Sequence, residues 1–261
     1  NLMGLEFIIL GCGSSMGVPR PDGFFGRCNP KNKKNYRTRC SALIKSSNEN
    51  ILIDTSPDLR EQLLKSNIKK IDRVLYSHLH GDQTHGINDL RVFYLKNKKV
   101  IPIYADRKTS NYLKKTFGYC FKHNSTIPKS LDYPATLKIN KLKRVHNFSN
   151  IRVVSIPVNH GNIDSMSFII NNNCAYASDV KLLYKKNIKF FKNLKYLIID
   201  CLRYDYHPSH LNLNEVLNLI NIIKPKKTYL TNLNTDMDYN ILKNKLPKNV
   251  YPAFDGLKLK L

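Results

Sequence analysis

Apolar residues in this chain fall into short runs rather than long stripes. Runs rich in β-branched and large aliphatic side chains occupy Leu5 to Leu10, Ile51 to Ile53, Arg73 to Tyr76, Val100 to Tyr104, Ile151 to Val158, Ser167 to Ile170, Cys174 to Ala177, Tyr196 to Ile199 and Thr228 to Leu230. Near-continuous apolar character over about four to eight positions is what a strand covered on both faces requires, so each run predicts a strand. Helical signals are fewer. Ser56, Pro57 and Asp58 combine a capping hydroxyl, a first-turn proline and early negative charge, and predict a helix reaching about Ser66. A second helix is predicted after Arg107. Asn212 with Glu215 reads as a capping box, ahead of Leu213, Val216, Leu217, Ile220 and Ile223 at helical spacing. Strands outnumber helices and arrive in clusters, a pattern that suits two layered sheets with outer helices better than a strictly alternating parallel sheet. No solenoid-period repeat and no linker rich in Gly, Ser or Pro interrupts it.

Composition narrows this picture. With 261 residues, 42% of them hydrophobic, the chain can bury a full core, and one globular domain over residues 1–261 is expected. No run approaches the ~18 apolar residues of a membrane span, and Leu5 to Leu10 lacks a basic leader, so the expectation is a soluble, cytoplasmic protein. The six cysteines, Cys12, Cys28, Cys40, Cys120, Cys174 and Cys201, are scattered without a CxxC pair and read as reduced thiols. Cys12, Cys28 and Cys40 as an accessory metal site is the weaker alternative to small buried hydrophobes. A formal charge of +24, from 43 Lys plus Arg against 19 Asp plus Glu, favours phosphate-bearing partners, either nucleic acid or a small phosphate ester. Lysine and asparagine are abundant along the whole length, so compositional bias explains the charge equally well.

The clearest chemistry lies in Ser77, His78, Leu79, His80, Gly81, Asp82, Gln83, Thr84, His85 and Gly86, at the exit of the strand predicted over Arg73 to Tyr76. Alternation would direct His78 and His80 to one side, and two same-side imidazoles are half of a zinc-type site. A single histidine is more often a surface or satisfied core residue. Three of the chain's eight histidines within eight positions, with an aspartate among them, favour a metal. A catalytic site leaves one coordination position open, and further ligands must come from other strand ends, where His160-Gly161, Ser178-Asp179 and Asp200 stand.

With these residues the chain resembles the metallo-β-lactamase superfamily, whose pattern is HxHxDH, a later His, a later Asp and a final His. The resemblance runs through Gly11-Cys12-Gly13-Ser14-Ser15, Leu52-Ile53-Asp54, the 78 to 82 motif, His160-Gly161, Ser178-Asp179 and Asp255-Gly256. Within the superfamily the chain looks most like the phosphodiesterase branch that contains the phosphoribosyl cyclic phosphodiesterases and is related to the tRNA 3′-processing nucleases. The implied fold class is α/β (α+β), a four-layer αββα sandwich with the metal site along one edge. The resemblance makes His78, His80 and His160 the imidazoles of a first metal site, Asp179 the bridging carboxylate and Asp82 a ligand of the second site. Gln83 stands where the motif's last histidine belongs, and Asn232 where the final histidine would lie. Neutral amides are poor ligands for zinc or manganese, so one well-held Zn2+ or Mn2+ is expected, with a second ion weak or absent.

A metal on His78, His80 and His160 would lower the pKa of a water from ~15.7 towards ~7 and so generate a nucleophile for phosphorus. Asp82 would orient that nucleophile or accept its proton. The branch uses a histidine of the 207 to 210 segment as general acid, and His210, just before Asn212, fits better than His207; a helix N-terminus there would favour phosphate oxygens. His85 has no metal role in the pattern. Between Arg20 and Arg39, cations interleave with Phe24, Phe25 and Tyr36, which reads as a solvated lid, with a phosphate or nucleic-acid patch as the less favoured alternative. The expected function is a metal-dependent phosphoric diester hydrolase acting on a small cyclic or nucleotide-like phosphate ester. An RNA-processing nuclease and a non-catalytic ligand-binding relative remain the alternatives.

Overall fold

The computed structural model describes residues 4–122 and 134–261. Its strands are β1 (Glu6–Gly11), β2 (Ser41–Lys45), β3 (Asn50–Ile53), β4 (Arg73–Leu75), β5 (Ile101–Ala105), β6 (Leu137–Lys141), β7 (Val145–Phe148), β8 (Ile151–His160), β9 (Ile163–Ile170), β10 (Cys174–Ala177), β11 (Tyr196–Asp200), β12 (Lys227–Thr231), β13 (Val250–Pro252) and β14 (Leu257–Lys260). The α-helices are α1 (Leu59–Lys65), α2 (Gly81–Thr84), α3 (Arg91–Asn97), α4 (Arg107–Thr116), α5 (Leu213–Ile223) and α6 (Tyr239–Lys245). They form two seven-stranded sheets, ordered β14-β1-β2-β3-β4-β5-β6 and β13-β12-β11-β10-β9-β8-β7. In each sheet an antiparallel part passes into a parallel part, at β3–β4 in the first and β10–β11 in the second.

The alternation of β1 shows why its sequence is apolar from Phe7 to Leu10. Phe7 and Ile9 point into the layer between the sheets with Ile44, Ile53, Phe168 and Tyr176, while Ile8 and Leu10 point outwards under α1, α3 and α4 with Leu43, Leu52, Leu63 and Phe93. Both faces are buried, so no polar position is tolerated. On the far side of the second sheet, Val154, Ile169, Leu197 and Leu230 pack beneath Leu213, Val216 and Ile223 of α5 and Leu242 of α6. The layers therefore run helix, sheet, sheet, helix, as the clustered strands predict. Phe7 meets Tyr176 across the middle layer at 5.5 Å between centroids. Burial of such side chains contributes about 1.5–3 kcal/mol each, which makes this layer the rigid base for the loops at its edge.

Several local expectations are corrected. The regular helix begins at Leu59, after a turn that starts at Ser56: Ser56 O accepts from Leu59 N and Ser56 Oγ from Asp58 N, the capping hydroxyl as read, while the carboxylate of Asp58 is engaged by the backbone N–H of Arg39 and by its guanidinium. The strand before the histidine motif ends at Leu75, so His78 and His80 lie in a loop where alternation no longer sets direction. The sequence pattern misses β2, β6, β7, β13 and β14. Edge strands β6 and β14 carry exposed lysines and lack a continuous apolar run. The capping box is present as read, with Asn212 Oδ1 accepting from Glu215 N and Glu215 Oε2 accepting from Asn212 N. All six cysteines are free and buried. Among the described residues, none of them joins a metal-ligating cluster. No helix is long and apolar enough to cross a membrane among the described residues.

Candidate metal centre

The loop after β4 is fixed from below by a short relay. Asp54, at φ 61°, accepts from both Ser77 N and Ser77 Oγ at 2.7 Å, and Ser77 Oγ lies 3.0 Å from His78 Nδ1. Gly86 seals the other end: a Cβ there would lie 1.9 Å from the carbonyl oxygen of Ser56, so only glycine lets the loop close on the β3–α1 connection. The eight-pair hairpin of β8 and β9 carries His160 to the same edge, where its Nδ1 donates to the carbonyl of Ser209 at 2.8 Å.

Three imidazoles consequently converge. Ring centroids are 4.6 Å apart for His78 and His80, 5.0 Å for His78 and His160, and 5.2 Å for His80 and His160. Burial, with the neighbouring imidazoles His160 and His80 adding to it, pushes His78 down to about 3, despite the opposing pull of Asp179. His160 is lowered by burial as well. The outer nitrogens of His78 and His160 are already held by Ser77 and Ser209, and all three rings bring a nitrogen to one point, which makes them the donor set of a divalent zinc- or manganese-type ion. The residues therefore fit the metal that the resemblance implies.

A second group, His160, Asp179 and His210, shares one imidazole with the first. Asp179 is buried at the end of β10. Burial opposes its charge, yet His78, His160, His210 and the Ser178 hydroxyl together hold it below the usual carboxylate range. Both its oxygens are occupied, Oδ2 by Ser178 Oγ at 2.6 Å and Gln83 Nε2 at 3.3 Å, Oδ1 by Asn232 Nδ2 at 3.2 Å. Asp82 is half-buried and belongs to neither group, although burial and the charge of Asp179 raise it to about 6.

His210 also sits at this edge, 4.7 Å from the His160 ring, and its Nδ1 contacts Asp200 Oδ2 at 2.6 Å. Burial disfavours its charge, but Asp200, Asp179 and Asp82 outweigh that and push it up to about 9. Burial raises Asp200 to about 7. The imidazole is the more basic member, so the last proton the pair holds lies on His210. His207 lies beside it at 4.9 Å, accepting from Ser209 N. The capping box already uses the amide hydrogens of Asn212 and Glu215, leaving the N-terminus of α5 less open to phosphate than its position implies. His85 is exposed and turned away, to Tyr112 Oη at 2.9 Å and the Phe117 ring.

The sequence pattern puts Asp200 among the candidate strand-end donors but does not pair it with His210, and it marks no role for Ser77, Ser178 or Ser209. The only signal for Asp200 is an acid closing an otherwise apolar strand, Tyr196 to Ile199. Ser209 acts through its backbone carbonyl, which no residue type announces.

Comparison with known proteins agrees with this architecture. A family model described as a beta-lactamase superfamily domain matches residues 49–231. An octanoyltransferase of Porphyromonas gingivalis is 29% identical over 97% of this chain and 51% of its own length. A ribonuclease Z of Methanococcus maripaludis is 24% identical over 74% of this chain and 60% of its own length. The chain thus spans about half the length of the curated relatives it matches. A crystal structure of a diphosphatase from the PhnP family superposes with a TM-score of 0.89 at 28% identity, covering 98% of both chains.

Proposed function

The chain belongs to the beta-lactamase superfamily, a family of hydrolases, and from that premise we propose that it is a metal-dependent phosphodiesterase acting on a small cyclic or nucleotide-like phosphate ester. The observation that carries the reading is the convergence of His78, His80 and His160 beside the hydrogen-bonded pair of His210 and Asp200. One side offers donors for a cation and the other offers a proton, the two requirements of phosphodiester hydrolysis at neutral pH.

His78, His80 and His160 would hold one Zn2+ or Mn2+, and an ion there supplies Lewis acidity to a phosphoryl oxygen and to the attacking water. Asp82, half-buried and raised to about 6, accepts the proton of that water. His210 donates its proton to the leaving oxygen, and Asp200 fixes the ring so that Nε2 carries it. Gln83 and Asn232 hold Asp179 by hydrogen bonds where a second ion would otherwise draw on it, which supports one well-held ion with a second weak or absent. An RNA-processing nuclease is the second reading, favoured by the ribonuclease Z relatives.

Elemental analysis and a screen of cyclic, dinucleotide and aryl phosphodiesters on one preparation test the proposal, with His160→Ala as control. Turnover of a phosphodiester that is lost in the variant supports it. A metal-loaded protein inert towards the whole panel sinks it, and defined trimming of a precursor RNA end with no turnover of small esters moves the assignment to the nuclease.

A further inference from the structure

The segment from Arg20 to Arg39 does more than a solvated lid would, since much of it lines a groove. This groove, of about 980 Å³, has its opposite side built from α1 and the Phe254–Asp255 turn, and none of its lining residues belongs to either histidine cluster. From this groove we infer a second binding site, for single-stranded nucleic acid, independent of the chemistry assigned to the histidines.

The acids that line the groove are already engaged. Of the acids lining the groove, Asp58 is paired with Arg39 at 2.7 Å and Glu61 with Lys65 at 2.7 Å. Asp255 is turned onto Thr38 N and Thr38 Oγ1, at 2.8 and 2.6 Å. Lys31, Lys33 and Lys34 have no carboxylate partner among the described residues, and neither does Arg37. Arg37 is the telling one. It is 2% exposed, is held by Met237 O, Asn35 Oδ1 and Asn234 O, and its Nε has no hydrogen-bond partner among the described residues. Asp255 offsets part of this charge, but six cations against three acids leave the lining net positive, and Arg37, with no carboxylate in ion-pair reach among the described residues, adds to the potential that an entering anion meets.

Its remaining features select among anions. Lys34 Nζ is held at 4.5 Å from the Tyr239 ring centroid and 4.7 Å from that of Phe254, which positions an ammonium rather than leaving it on a free stem. Tyr36 is 48% exposed and braced edge-on against Phe25 at 5.1 Å, leaving an aromatic surface beside the lysines. Fixed cations beside an open ring match a strand whose phosphates repeat next to bases able to stack, and they read no base edge. A compact anion such as inorganic phosphate has no use for the ring.

Because the whole chain carries a +24 charge, the test must separate this groove from general attraction. A labelled oligouridylate of about ten nucleotides is titrated with the full chain over a range of salt, by fluorescence anisotropy. The variant K31Q/K33Q/K34Q is compared with K185Q/K186Q/K189Q, which removes the same charge from exposed lysines of another surface. The groove variant is expected to weaken binding about tenfold or more and to reduce the salt slope by about 2, the value for three single-strand phosphate contacts; the control should stay within about threefold. Tyr36→Ala is expected to weaken binding about fivefold or more through lost stacking. Equal losses in the two lysine variants overturn the site, and an unchanged affinity in Tyr36→Ala overturns the nucleic-acid assignment. Should the triple variant unfold, the single exchanges K31Q and K33Q carry the same comparison, since both lysines are exposed and unpartnered.

Discussion

Asn232 donates its side-chain N–H to Oδ1 of Asp179 across 3.2 Å, from the position where the superfamily pattern places an imidazole. Gln83 does the same to Oδ2 at 3.3 Å, and its own Oε1, fully buried, has no partner. Hydrogen bonds neutralise part of the demand that a second cation would meet, while offering that cation poorer ligands. Elemental analysis after dialysis should therefore give one tightly held metal per chain, and the double exchange Q83H/N232H should raise it towards two. Two tight ions in the unaltered protein would contradict the amide account.

Removing an imidazole of the first cluster should abolish metal retention rather than trim it. Loss of an outer-sphere partner alone typically costs 10–100-fold in affinity, so His160→Ala or His78→Ala is expected to weaken binding by at least about 100-fold. Isothermal titration with Zn2+ and Mn2+ reads this directly. His85→Ala, which alters the contacts to Tyr112 and Phe117 away from the cluster, should leave the affinity unchanged.

His210 and Asp200 make a different prediction, because neither belongs to the cluster of His78, His80 and His160. His210→Ala should lower turnover of an alkyl phosphodiester by about 10²–10⁴-fold with metal content intact. Asp200→Asn should fall between that variant and the unaltered protein. Substrates with an acidic, nitrophenol-type leaving group need no proton and should lose far less activity; an equal loss on both substrates would remove the proton-donor role.

Asp255 offers a test of pH-dependent stability away from the histidines. Burial raises its carboxyl to about 6, against four opposing hydrogen bonds from Thr38 and Cys12, whereas an unfolded aspartate titrates near ~3.9. The folded state therefore binds the proton more tightly between about pH 4 and 6, and this residue's contribution to stability declines as pH rises through that window. The difference in denaturation midpoint between the protein and Asp255→Asn, measured from pH 4 to 7, should change in that direction. Asp255→Ala, which strands the amide hydrogens of Thr38 and Cys12, should cost about 2 kcal/mol at pH 7.

How much of this was legible beforehand follows from the range of each interaction. The strand at Leu5 to Leu10 was readable because burial on two faces acts through the residues themselves, and the Asn212–Glu215 capping box because both bonds close within three positions. Strands β6 and β14 were not readable, since edges are defined by what they pair with rather than by their own polarity. The capping hydroxyl of Ser56, which bonds two residues on, was readable too, whereas the capture of Asp58 by Arg39 from nineteen residues away was not.

For the site, the residues 78 to 85 announced a metal by composition alone, and the resemblance supplied His160 and Asp179. Only the tertiary structure decided that three imidazoles from β8 and one loop converge, that Asp82 stands outside both donor groups, and that His210 is paired with Asp200. Sequence determines which donors exist and which segments bury their side chains, because those depend on residue type and local periodicity. Which nitrogen is free, which carboxyl keeps its proton and which charge lacks a partner depend on distances and desolvation set by segments remote in the chain. That is why the buried guanidinium of Arg37, one cation among 43 in the sequence, became distinctive only when folded.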